Sequence, residues 1–196
     1  MNTDGMNHIP PGYLPAVVTY LQMTAPAMAA VKPFPAGVTA TREQIDNGGY
    51  RAVYRAVGAP WLWSARLLMD DSALSDILAD ERTEVWIVRR AEVAIGLVEL
   101  DFRTERECEL SYFGIVTDAT GQGLGGPMMA LAQRQAFARK IDRFFVHTCN
   151  WDDPRALAFY QKAGFAPYKY GVDIGPDPRL DGTYPTTTAS HIPCLT

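Results

Sequence analysis

The spacing of apolar residues changes period along the chain and divides it into helices and strands. Apolar side chains of residues 45–57 recur at roughly helical spacing, and Thr41 with Gln44 three residues later forms a capping box. These signals predict a helix that ends by Gly58. A second, short helix is predicted over residues 73–80, with Asp71 or Ser72 as its cap.

From residue 84 the pattern becomes typical of β-strands and then alternates between helix and strand. Three consecutive runs rich in Val, Ile and aromatic residues, separated by tight turns, predict an antiparallel meander over residues 84–90, 93–102 and 108–116. Next come a glycine-rich loop, a helix over residues 125–140, the strand Arg143–Cys149, a helix over residues 153–164 and a last β portion from Phe165. This order predicts one α/β domain.

The two ends of the chain differ in composition from its middle. Residues 1–36 carry six prolines, which predicts an irregular arm, with residues 20–25 as an alternative edge strand. We therefore place the folded domain at residues 37–175. Residues 176–196, again rich in proline, are predicted to form an irregular tail.

Charge and cysteine content exclude several classes of protein. A formal net charge of −4 argues against binding to nucleic acid, because such domains concentrate basic residues on one face. Three widely separated cysteines give no readable disulfide framework, and no apolar run approaches the length of a membrane span. We expect a cytoplasmic protein that does not bind membranes. His147 and Cys149 share a strand face and could make half a metal site, but without two more ligands nearby we expect a packed histidine, a buried thiol and no metal.

The loop before the helix at residue 125 has the composition of a phosphate-binding turn. Gly121, Gly123 and Gly126 match the dinucleotide fingerprint G-x-G-x-x-G, whereas the Walker loop is excluded because neither Lys nor Ser/Thr follows the glycines. Successive glycines let backbone N–H groups turn toward an anion at the helix N-terminus. The loop follows an antiparallel meander rather than the first strand of a parallel sheet, which weakens the dinucleotide interpretation and leaves NADH as a competing ligand.

A second motif, "DDPRALAFYQKAGF" at residues 152–165, favours a different ligand. It resembles motif B of the GCN5-related N-acetyltransferase (GNAT) superfamily, and residues 120–125, "TGQGLG", resemble motif A, the pyrophosphate loop for acetyl-coenzyme A (acetyl-CoA). The resemblance covers about residues 37–172 and implies the GNAT (acyl-CoA N-acyltransferase) fold, a mixed, splayed β-sheet flanked by helices. Two positions depart from the family pattern: Thr120 stands where Arg or Gln is common, and Asp153 where Asn is common, with Asn150 the nearest Asn.

The resemblance implies a set of residues that contact acetyl-CoA. The pantetheine arm would lie along the strand that ends at Val116, and the pyrophosphate would lie on the glycine loop. The residues in these roles are Ile115, Val116, Thr117, Thr120, Gly121, Gln122, Gly123, Leu124, Gly125, Gly126, Asn150, Asp153, Ala156, Phe159 and Tyr160.

The resemblance also implies catalytic roles. Tyr160 matches the motif-B tyrosine, which acts as general acid toward the coenzyme sulfur, because a phenol keeps its proton at neutral pH. Glu109 or Glu99 could deprotonate the acceptor amine directly or through a water. Gly114 favours a bulge near residues 113–115, which would open the cleft and offer the Ile115 N–H to the acetyl carbonyl. Without a bulge between them, strand alternation prevents Glu109 and Tyr112 from both facing the cleft.

The resemblance also implies that the acceptor pocket lies on the first helices, the loop between them and the C-terminal strands. Aromatic side chains there would suit an aromatic or amphipathic amine, and Arg66 could hold an acceptor carboxylate. The residues are Tyr54, Trp61, Trp63, Arg66, Tyr112, Tyr168 and Tyr170.

The sequence thus predicts an N-acetyltransferase that moves acetyl from acetyl-CoA to a primary amine of a small molecule or peptide, by direct attack through a tetrahedral intermediate. Two alternatives remain open: a non-catalytic acyl-CoA-binding or regulatory module of the same fold, and transfer of a longer acyl group. Many proteins of the superfamily form dimers through sheet edges or C-terminal strands, and the proline-rich ends of this chain are compatible with a homodimer.

Overall fold

The computed structural model describes residues 5–27 and 33–195, which form a mixed seven-stranded open sheet with helices on both faces. The strand order is β2-β3-β4-β5-β6-β1-β7, and only β5 and β6 are parallel neighbours. The strands are β1 Tyr13–Met23, β2 Val38–Arg42, β3 Thr83–Arg90, β4 Val93–Asp101, β5 Glu107–Ile115, β6 Arg143–Cys149 and β7 Ala166–Pro176. The helices are α1 Asn47–Gly58, α2 Ala65–Leu68, α3 Asp71–Ala79, α4 Gly125–Ala138 and α5 Ala156–Lys162. The predicted fold class is confirmed.

Each face of the sheet has its own core. Helices α4 and α5 cover one face, where residues such as Leu110, Met128 and Phe144 are buried together. Helices α1 and α3 cover the other face, with Tyr54 and Leu97 in its core. We call these the α4 face and the α1 face. Because strand side chains alternate, the position of a residue in its strand decides which face it belongs to.

The N-terminal segment is the main correction to the predicted architecture. Residues 13–23, expected within an irregular arm or at a sheet edge, form the inner strand β1, which pairs with both β6 and β7. The domain therefore begins at β1 rather than at residue 37. Residues 1–4 and 28–32 of the predicted arm, and residue 196 of the predicted tail, lie outside the described residues.

The register of β1 explains how an inner strand tolerates Pro15. The pairing of β1 with β6 starts at Val18 opposite Cys149, so Pro15 is paired only with β7. The N–H of Val17 points toward the β6 side, where the Asn150 side chain accepts it at 2.7 Å. The nitrogen of Pro15, two residues earlier, faces the same side beyond the end of β6, where no ladder bond is lost.

Two helix starts also differ from the predicted ones. Thr41 lies in β2 and forms no capping box with Gln44. The cap of α1 is Asp46, whose side chain accepts the N–H of Gly49, and the cap of α3 is Asp70, whose side chain accepts the N–H of Ala73. Asp and Ser/Thr are comparable caps, so local sequence did not distinguish between them.

The described tail, residues 177–195, contains turns but no helix or strand, and it folds back over the end of the α1 face. Arg179 and Asp177 form an ion pair with both side chains 1% exposed. The same guanidinium donates to the carbonyls of Thr188, Ile192 and Pro193. The buried Arg179 guanidinium thus links several parts of the tail to one another and holds it in a compact conformation.

Candidate active site

The cleft lies where β5 and β6 separate. Their parallel pairing covers only three residue pairs and stops at Glu109 opposite Phe145. Beyond that point, the two strands diverge around a cleft of about 590 Å³. The glycine loop, α5 and the segment between α1 and α2 supply the remaining walls.

A β-bulge in β5 determines what faces the cleft. Leu100 pairs with Leu110 and Glu99 with Tyr112, so Ser111 is the extra residue. The bulge therefore lies before the predicted site at residues 113–115. Because one residue is inserted, Glu109 and Tyr112 both lie on the α1 face, an arrangement that simple alternation would forbid.

The glycine loop leaves an open cradle at the start of α4. Gly121 and Gly123 have φ values of +79° and +78°, a region that side chains with a Cβ rarely adopt. A Cβ at either position, or at Gly126, would meet no atom within 4 Å. Among the described residues, no side chain caps α4, so the first N–H groups of this 14-residue helix face the cleft without intrahelical partners. This geometry suits a phosphate.

Most residues predicted to contact the cofactor line this cleft. They are Ile115, Thr120, Gly121, Gly123, Leu124, Gly125, Gly126, Asp153, Ala156, Phe159 and Tyr160. Four others have different surroundings. Val116 and Thr117 begin a 3₁₀ turn beside the loop, and Asn150 completes the β1 edge. The side chain of Gln122 donates to the Asp118 carbonyl and accepts from Arg90, so it braces the loop from outside.

Helix α5 brings Tyr160 to the cleft. Its ring packs against Phe113, Phe159 and Phe165 and is 7% exposed. Within residues 5–27 and 33–195, no group is hydrogen-bonded to its hydroxyl, and the residue lines the cleft. Burial raises the pKa of Tyr160 well above its ordinary value, and the Asp152 carboxylate acts in the same direction. The hydroxyl is therefore a proton donor throughout the neutral range.

Trp63 forms the opposite wall, and two glycines make room for it. A Cβ on Gly58 would lie 2.5 Å from the Trp63 side chain, and one on Gly114 would lie 3.2 Å from its ring. The ring packs against Tyr54 and Tyr112 with centroid distances of 5.5 and 5.1 Å. Gly114, which had suggested a bulge, instead allows α1 and Trp63 to approach β5.

Glu99 and Arg66 lie behind this wall rather than in the cleft. Glu99 is fully buried and accepts hydrogen bonds from the Tyr50 hydroxyl and from Arg66, whose guanidinium nitrogen is 2.6 Å away. The Arg66 guanidinium also lies over the Tyr112 ring. The Glu99 carboxylate and the Arg66 guanidinium therefore form a buried ion pair in the core of the α1 face. The structure thus gives Glu99 no route to an amine and Arg66 no route to an acceptor carboxylate, contrary to their predicted roles.

The two tyrosines of β7 are separated from each other. Tyr170 pairs with Thr19 on the α4 face and is 74% exposed, so it lies away from the predicted acceptor side. Tyr168 packs against Tyr20 at a centroid distance of 6.2 Å, near the outer end of the α1 face. Trp61 lines the cleft and contacts His191 of the tail.

Several cleft residues escaped the sequence analysis. His147, Cys149, Trp151, Asp152 and Arg155 line the cleft although none was assigned to it. His147 had been interpreted as a packed core residue, but its side chain is 47% exposed and 3.2 Å from the Glu109 carboxylate. The signal available was its strand face, shared with Cys149. Burial raises the pKa of Cys149 to about 11, so its thiol stays protonated at neutral pH.

In the described ranges, no three His, Cys, Asp or Glu residues are grouped so that they could hold a metal ion. No helix in the same ranges has both the length and the hydropathy needed to cross a membrane.

Solved structures share this architecture. A GCN5-related N-acetyltransferase from Kribbella flavida is 19% identical with a TM-score of 0.56, over 87% of this chain and 63% of that chain. A functionally unknown conserved protein from Staphylococcus epidermidis is 17% identical with a TM-score of 0.58, over 85% and 63%. The chain thus spans less than two thirds of the length of these two proteins. An aminoglycoside acetyltransferase from an uncultured soil metagenomic sample, in complex with sisomicin, is 16% identical with a TM-score of 0.54, over 65% and 88%.

At these identities the structural likeness shows the fold alone. A comparison with curated protein sequences gave no match. The sequence profile of the acetyltransferase (GNAT) family, however, matches residues 50–165, which is more than half of the chain and includes the glycine loop, α4 and α5. The chain belongs to the acetyltransferase (GNAT) family.

Proposed function

We propose that the protein is an acetyl-CoA-dependent N-acetyltransferase that acts on a primary amine of a small molecule or peptide. The observation that carries the proposal is the continuous cleft between β5 and β6. It joins an open backbone cradle to the Tyr160 hydroxyl, which has no hydrogen-bond partner among the described residues, and then to an aromatic wall.

The residues present fit acetyl-CoA. The open positions of Gly121, Gly123 and Gly126 would receive the pyrophosphate, together with the free N–H groups at the start of α4. The backbone of β5 up to Ile115 would hold the pantetheine arm as an added strand, because β6 has diverged from it. When bound, acetyl-CoA supplies an acetyl group activated as a thioester.

The side chains around the cleft would position the reactants and handle protons. Tyr160 holds a proton beside the cleft and would donate it to the leaving thiolate. Trp63, Tyr112 and Tyr54 exclude water from the opposite wall and would contact the apolar part of the acceptor.

Charge around the cleft favours a cationic acceptor. Asp152 lines the cleft, and Glu109 and Asp173 lie close enough to His147 to influence its titration. An alkylammonium ion would be attracted to such a lining before it loses its proton.

Two further proposals concern the setting of the protein. All three cysteines are free, which supports a reducing, cytoplasmic compartment. Strand β7 is the last in the sheet order, and Tyr170 and Val172 on it are exposed, which supports a homodimer formed through this edge. Light scattering of the purified protein would test the dimer directly.

The function is tested by calorimetric titration with acetyl-CoA, with NADH as the control ligand. We expect binding of acetyl-CoA alone, followed by acetylation of at least one amine in a panel of tyramine, tryptamine, spermidine, an aminoglycoside and a lysine peptide, detected by mass spectrometry. Binding of NADH alone would overturn the proposal. Binding of acetyl-CoA with no acetylated product would support the non-catalytic module instead.

A further inference from the structure

His147 occupies the acceptor side of the cleft. Phe144 and Val146 of β6 are buried in the core of the α4 face, so His147 projects from the α1 face. It follows Phe145, the last residue of β6 that pairs with β5, by two positions, at the point where β5 and β6 have separated. The imidazole lines the cleft and is neither buried in a core nor free in solvent.

Glu109 fixes the orientation of this imidazole. Glu109 is the last residue of β5 that pairs with β6, and its carboxylate lies 3.2 Å from Nδ1 of His147. With Nδ1–H donated to Glu109, the neutral ring carries its lone pair on Nε2. The bulge at Ser111 is what puts Glu109 on the same face as Tyr112 and the acceptor wall.

The groups around the imidazole come from four elements and are mainly acidic. Glu109 raises the pKa of His147 above its ordinary value, more than burial lowers it. Lys169 is the nearby cation, with Nζ 4.7 Å from the Tyr20 ring, while Arg143 is paired with Glu107. The charged, titratable or aromatic groups facing this region are Glu109 of β5, Asp152 after β6, Tyr20 of β1, and Lys169 and Asp173 of β7.

We propose that His147 accepts the proton of the acceptor amine at Nε2, and that Glu109 is the positioning residue that holds the ring. The inference rests on the proposed function, and it assigns the role of base to His147 instead of Glu99 or Glu109. Glu99 is enclosed by Tyr50 and Arg66, and Glu109 reaches the cleft through the imidazole. His147 and Tyr160 then line the same cleft as base and acid.

The proton balance is complete with these two residues. An ammonium and a thioester give an amide, a thiol and one proton. His147 takes one proton from the ammonium nitrogen and later releases it to solvent. As the N–C bond forms and the C–S bond breaks, Tyr160 gives its phenol proton to sulfur and recovers the second nitrogen proton, so no oxidant or reductant is needed.

The first test needs no turnover. The chain contains three histidines, so NMR titration of the imidazole signals, assigned with His147→Gln, follows each ring separately. We expect Glu109→Gln to lower the pKa of His147, whereas the matched control Glu107→Gln, two residues earlier on the same strand face, leaves it unchanged. An unchanged titration in Glu109→Gln would overturn the positioning role.

The second test is the pH dependence of kcat/KM for the best amine of the panel. In the wild type, activity should rise with pH as His147 loses its proton. His147→Gln should remove this rise and lower the rate by about 100-fold, with acetyl-CoA affinity unchanged by calorimetry. The exposed His8→Gln serves as control. Glu109→Gln should move the rise to lower pH by the shift that NMR measures for His147.

The failures are distinguishable. A wild-type protein that acetylates none of the amines overturns the proposed function and this inference with it. A wild-type protein that is active, with His147→Gln binding acetyl-CoA and retaining the wild-type rate and pH profile, overturns this inference alone. If His147→Gln loses acetyl-CoA binding, the inference is tested with Glu109→Gln instead. A shift of its pH–rate profile that differs from the shift of the His147 pKa measured by NMR contradicts the proposal.

Discussion

The two sides of the cleft are built by different means. The side to which we assign acetyl-CoA, here called the cofactor side, consists of main-chain groups from the glycine loop into α4, together with α5. The side to which we assign the amine, here called the acceptor side, is assembled from side chains of α1, the segment before α2, β5, β6 and the C-terminal tail. Backbone recognition needs only a short sequence, whereas a wall of side chains depends on distant contacts.

This difference predicts that damage to one side should spare the other. Variants of the glycine loop should lose affinity for acetyl-CoA and keep their stability. Acceptor-side variants should lose stability or amine affinity and keep acetyl-CoA.

The largest effect is expected from Gly126→Glu. A Cβ at this position meets open space, so the fold should tolerate the side chain. Its carboxylate would face the phosphates, and two like charges about 4 Å apart near a surface repel by about 4 kcal/mol, so affinity should fall by about 100-fold or more. Calorimetry with acetyl-CoA measures this, and Gly126→Ala, which adds no charge, is the control. Equal binding by Gly126→Glu would place the phosphates elsewhere.

Glu99→Gln should mainly damage stability. It leaves Arg66 buried without its counter-charge, which costs about 3 kcal/mol. Urea unfolding measures the loss, and the more exposed pair of Glu43 with Arg89 supplies the control Glu43→Gln, for which less than about 1 kcal/mol is expected. The double variant Glu99→Leu with Arg66→Met should recover much of the loss. A marginal effect in the single variant would show that the pair is hydrated.

Tyr160→Phe separates catalysis from binding. Removing the hydroxyl should lower kcat by about 100-fold, as expected for loss of a general acid, while acetyl-CoA affinity and stability stay near wild type. The exposed Tyr13→Phe is the matched control. An unchanged kcat would make Tyr160 a packing residue.

A smaller effect is expected where the tail supports the acceptor wall. The Tyr184 hydroxyl donates to the Trp63 carbonyl at 2.6 Å, and Tyr184→Phe should cost about 1 kcal/mol of stability. KM for the amine should rise with no change in acetyl-CoA affinity. Tyr170→Phe, at an exposed position, should change neither quantity. Equal KM values for the amine in Tyr184→Phe and Tyr170→Phe would show that the tail does not contribute to acceptor binding.

The smallest effect is a pH dependence of stability. The pKa of His147 is raised in the folded protein, mainly by Glu109, so its protonated form stabilises the fold. That stabilisation is complete below the unfolded histidine pKa of about 6.5 and is lost as pH rises through the folded pKa. Urea unfolding should therefore show Glu109→Gln less stable than wild type near about pH 5.5, and nearly equal near about pH 9. A constant difference would assign the loss to packing.

What the sequence could predict follows the same division. The glycine loop, the Asp-Pro start of α5 and the meander are local patterns, and each was placed within a few residues. Glu99 is a polar residue in a strand, and nothing local shows that Arg66 and Tyr50 enclose it. Likewise, strand alternation gave the face of His147 but not its partner Glu109, because the two strands are neighbours only in the folded sheet.

The N-terminal strand was missed for a physical reason of the same kind. A proline such as Pro15 normally excludes an inner strand, and its position beyond the end of β6 depends on a register that only the complete sheet defines. The bulge was predicted at the wrong residues for the same reason. The pairing of β4 with β5 places it at Ser111, and the glycine at residue 114 does not determine its position.

The insertion of β1 between β6 and β7 has a consequence for how the protein is made. The ribosome synthesises β1 before β2 to β5, yet β1 pairs with β6 and β7, which come after them, with Val18 opposite Cys149 and Val17 opposite Val172. Contacts between such distant segments slow folding and leave an unpaired apolar strand exposed in the meantime. During synthesis, β1 should therefore be a binding site for chaperones, and shortening the chain before β7 should give an insoluble product rather than a smaller domain.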